Sequence, residues 1–80
     1  MAKIVDGPEG ILDVASWMGG GAYSIMYAVK NTMMRDPIMR VEKMGDKEDF
    51  EQRLLRIATE AAEELECSPE DVDFVVSYMG

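Results

Sequence analysis

Seven carboxylates crowd the C-terminal third of this chain: Glu60, Glu63, Glu64 and Glu66, then Glu70, Asp71 and Asp73. Hard divalent cations such as Ca2+ take about six to eight oxygen ligands, and carboxylates supply them. On a helix, Glu63 falls about 60° from both Glu60 and Glu66, so these three share a face. The macrodipole makes a helix C-terminus negative, and here no base follows Arg56 to offset it. A bound cation relieves that repulsion, and Glu63, Glu66, Glu70, Asp71 and Asp73 are its expected ligands.

Glu64, Glu66, Ser68 and Glu70 alternate like the first ligands of an EF-hand loop. The central glycine and the glutamate at the twelfth position are missing, so the loop is not of that type. A solvated acidic face explains the same residues with no ligand at all. A second acid group, Asp46, Glu48, Asp49 and Glu51, sits where a helix start favours negative charge and needs no further role.

Other chemistries lack their parts. The chain has no histidine, which removes the commonest general base and the commonest zinc ligand. Cys67, its one cysteine, sits among Glu63, Glu64, Glu66 and Glu70, whereas a reactive thiol needs an electropositive setting. A packed thiol is expected. Gly19-Gly20-Gly21 has no base within it and neither nucleotide-loop spacing, so it reads as a turn. Eight methionines suit a flexible core or an adaptable contact surface better than a copper site. No acid pair stands out with separated roles, so a non-enzymatic protein is expected.

Charge is unevenly placed. Residues 1 to 35 sum to zero, whereas residues 36 to 80 hold thirteen acids against five bases, which accounts for the net charge of −8. Such a half repels phosphate backbones and anionic lipid, so no nucleic-acid partner is expected. Eighty residues make one domain. A lone cysteine excludes an internal disulfide and fits the cytoplasm. Residues 14 to 29 carry no charge, but three glycines and two serines dilute them and they are short of a membrane span. With Trp17, Tyr23 and Tyr27 they offer a second reading, a protein–protein interaction module or a homodimer built on this segment.

These side chains need elements to hold them. Phe50, Leu54, Ile57, Ala58, Ala61 and Leu65 recur at helical spacing behind a capping Asp46, predicting a long amphipathic helix from about 46 to 66. Pro37 and Gly45 bound a strand over 38–44, with Met39 and Val41 facing inward. Val72, Phe74, Val76 and Tyr78 alternate as a second strand, and residues 3–5 form a short third one before a turn. Residues 11–30 fit two helices or a β-hairpin equally well. The expected fold is a small two-layer α+β domain, the long helix packed on a mostly antiparallel sheet.

Overall fold

A computed structural model describes residues 2–45 and 49–80, with side chains described from Ile4 onward. Along the chain run β1 (Ala2–Asp6), α1 (Gly7–Ala15), β2 (Gly21–Val29), β3 (Ile38–Met44), α2 (Phe50–Leu65), a single 3-10 turn (Pro69–Asp71) and β4 (Val72–Tyr78). The strands form one sheet in the order β1-β4-β2-β3, every pairing antiparallel. Both helices lie on one face of that sheet, giving the two layers of the expected α+β domain.

Helix α2 is the sequence stripe made solid. Leu54, Ile57, Ala58, Ala61 and Ala62 are buried, and Phe50 and Leu65 pack partly against the same core. Its cap is Asp49, whose carboxylate accepts from the Gln52 amide at 3.2 Å. The expected cap Asp46 lies outside the described residues. At its other end Glu66 adopts φ 56°, and the amides of Glu66 and Cys67 return to the carbonyls of Glu63 and Ala62, the six-residue wrap of a Schellman turn. Glutamate holds that left-handed position at a steric cost glycine avoids.

Residues 11–30 resolve the open choice by taking one element of each kind. Ile11 and Val14 bury themselves from α1, whereas Tyr23, Ile25 and Tyr27 face the same core from β2 at strand spacing. Two glycines make the joins possible. A Cβ on Gly10 would stand 2.8 Å from that of Val5, so α1 can lie flat on β1 only there. Gly21 enters β2 at φ 136°, with the Tyr78 ring 2.8 Å from where its Cβ would be.

Strand β3 corrects its predicted facing. Met39 and Val41 were expected inward, yet they are 63% and 52% exposed on the helix-free face. Their pairing with Met26 and Ser24 puts them there, because the alternate residues Tyr23, Ile25 and Tyr27 claim the core side. Arg40 and Glu42 therefore point toward α2.

Candidate functional site

The carboxylates proposed as cation ligands are distributed by the fold over four places. Glu63 stands exposed on α2, where it shares a groove of about 570 Å3 with Tyr27, Ile38, Met39, Arg40, Glu60 and Glu64. Glu66 leaves that face through its left-handed cap. Glu70 and Asp71 are exposed on the 3-10 turn, Glu70 beside the start of α1. Asp73 is on β4, in register with Asp6 on the opposite side of the sheet from α2. Among the described residues no group of three or more carboxylates or thiols is close enough together to hold a metal ion.

The charged side chains of edge strand β3 instead form a network with α2. The Glu42 carboxylate accepts from Arg40 Nε at 2.7 Å on one oxygen and from Arg53 Nη2 at 2.9 Å on the other. Arg40 also reaches Glu60 at 3.3 Å. These groups, with Asp49, Gln52, Arg56 and Ile57, line a groove of about 480 Å3 between β3 and α2. Burial opposes the charge on Arg40, but Glu42 and then Glu60 outweigh it and hold the guanidinium above its ordinary pKa. Next to it the Tyr27 hydroxyl donates to Glu64. Burial first, then that carboxylate, push the phenol up to about 12. Three positive and three negative groups line the β3–α2 groove, so its inward-facing charges largely satisfy one another.

The face of the sheet away from the helices has a different character. An antiparallel sheet with one open face ordinarily alternates apolar inward and polar outward. Here Ile4, Val75, Met26 and Met39 stand in one cross-strand row, each opposite the next in register. Val41 adds to the row's β3 end, and Ile4 is 72% exposed. Strand spacings put this face at about 19 Å across and 23 Å along, a footprint of roughly 400 Å2. Its charges are few: Asp6 and Asp73 at one end and Lys43 at the other. Lys30 reaches Asp6 at 2.8 Å. Desolvation, then Asp6, raise the Asp73 pKa, since two carboxylates face each other across β1 and β4. The chain's large negative charge thus lies almost wholly off this face.

Sequence reading missed this row because its members come from four strands and no single segment carries it. The uncharged 14–29 segment holds only part of it. Tyr23 and Tyr27 are buried, not anchors for a partner, and of the named aromatics only Trp17 reaches the surface. Cys67 packs partly against the core, its thiol pushed up by desolvation and by Asp71, in keeping with the packed thiol expected. Among the described residues no helix is long and apolar enough to cross a membrane. Compared with known proteins, the chain matches no family model, no curated protein and no solved structure.

Proposed function

We propose that this protein is a non-enzymatic interaction domain that receives a partner protein on the helix-free face of its sheet. The in-register apolar row Ile4–Val75–Met26–Met39 carries the reading. The row crosses all four strands of a face whose whole footprint, polar ends included, is roughly 400 Å2, and the largest apolar patch of a small protein is often a functional one. The occupant is an amphipathic segment with an apolar stripe and basic flanks. Its stripe covers the row. Its flanks meet the acidic end of the face, where Asp6, Asp71 and Asp73 outnumber Lys30, and the charge of −8 steers its approach. The methionines supply side chains that adapt to the partner's shape.

A synthetic helix with a leucine stripe flanked by lysines is the probe, followed by amide and methyl NMR shifts. Saturable shifts at Met26, Met39, Val41 and Val75 are expected, lost in Ile4→Glu and weak with glutamate in place of the lysines. Shifts confined to the α2 acids and abolished by salt would overturn the reading. Charge density alone supports a cation site on Glu63, Glu66, Glu70, Asp71 and Asp73.

A further inference from the structure

The sheet ends on one side at β3, a seven-residue strand whose only partner among the described strands is β2. Its outer edge presents a row of backbone donors and acceptors of the kind another strand pairs with. Natural edges are often protected by inward-facing charges, and Arg40 and Glu42 are such charges. Their signs make them selective. Paired antiparallel with itself about Val41, the strand sets Arg40 opposite Glu42 of a second copy, Glu42 opposite its Arg40, and Val41 opposite Val41. Sliding by two residues either way, the smallest shifts that keep each copy's helices on the same side, sets Arg40 against Arg40 or Glu42 against Glu42. Like charges directly opposite are destabilising, so one register is favoured and its neighbours are not.

We infer that the chain forms a two-fold homodimer through β3, joining two sheets into one of eight strands. The helices leave room for it. Helix α2 lies over β2 and β4, so the two copies of α2 are separated by about four strand spacings, roughly 19 Å. Helices in contact sit about 8–10 Å apart, and the extra width houses the Arg40, Glu42 and Arg53 side chains of both copies. The joined sheet also doubles the open face to roughly 800 Å2. The pairing itself rests on the edge strand alone and stands whether or not a partner docks on the face.

Sedimentation equilibrium of the full chain over a concentration series tests it, with Arg40→Glu, Glu42→Arg and the double exchange R40E/E42R. A dimer is expected, weakened about tenfold by either single reversal and restored in part by the exchange, which recovers opposite charges across the axis but leaves Arg53 and Glu60 facing like charges within their own copy. Circular dichroism confirms that each variant is folded. A crosslink tests the register independently of those charges. In a Cys67→Ser background, mild oxidation should join Val41→Cys chains far faster than chains carrying the exposed Met33→Cys. Ile4→Glu, which abolishes docking on the face, should leave the dimer intact because β1 is at the far edge. A monomer at every concentration overturns the inference, as does equal crosslinking at both positions. A dimer that ignores both charge reversals overturns it too.

Discussion

Tyr27 shows how much one residue can carry in a domain this small. Its ring is buried against Phe74 while its hydroxyl reaches Glu64 at the rim of the β3–α2 groove. The folded state binds the neutral phenol better than the unfolded state does, since its pKa rises from 10.0 to about 12. That stabilisation, about 3 kcal/mol, is complete below pH 10 and is lost as pH rises through 12. Lys30, held above its ordinary pKa chiefly by its hydrogen bond to Asp6, is common to wild type and variant, so the difference between two proteins isolates Tyr27. Tyr27→Phe is expected to be about 1 kcal/mol less stable at pH 8, from the lost hydrogen bond, and to lose less further stability between pH 10 and 12. Urea midpoints across that range check it; parallel curves would assign the alkaline loss to other groups. At this scale the sequence marked Tyr27 only as an aromatic in an uncharged run. Its partner Glu64 is 37 positions away and becomes a neighbour only through the packing of α2 on β2.

Helix α2 was legible because its signals are local: an acidic cap, apolar residues three and four apart, and a polar side. Its start still lies a turn later than the sequence boundary, because Asp49 makes the capping bond to Gln52. Asp49→Ala should therefore destabilise the protein by about 1 kcal/mol and Asp49→Ser by much less, read from denaturant midpoints. Strands β1, β3 and β4 were also legible, and of the alternating β4 residues Val72, Phe74 and Val76 are buried whereas Tyr78 is exposed. The facing of β3 was not legible. Alternation shows that two faces differ without saying which one meets the core, and Ile-Met-Arg-Val-Glu-Lys-Met offers methionines to both. Register against β2 decides it, and places the charged set under α2. The loop between β2 and β3 holds Asn31, Met33, Met34 and Asp36 at positive φ, an arrangement no glycine or turn motif in that stretch announced.

On the scale of the whole molecule, charge and apolar surface are segregated. The acids crowd α2 and its following turn, while the open sheet face carries a nearly neutral apolar row. A calcium titration of chelator-stripped protein separates the two uses of this surface. With the proposed ligands spread over the α2 face, its cap, the 3-10 turn and β4, weak, non-saturating amide shifts over all acidic residues are expected. Saturable shifts centred on Glu63, Glu66, Glu70, Asp71 and Asp73, with a rise in melting temperature, would require the turn to close on the ion and would restore a cation-binding function. Composition and periodicity by themselves determined an acidic single-domain α+β chain, its long helix and three of its strands, since each rests on interactions within a few residues. Tertiary structure alone decided which strand faces meet solvent, which carboxylates come together and where the edge of the sheet lies. Those properties depend on strand order and register, which are set by pairing between segments far apart in the chain.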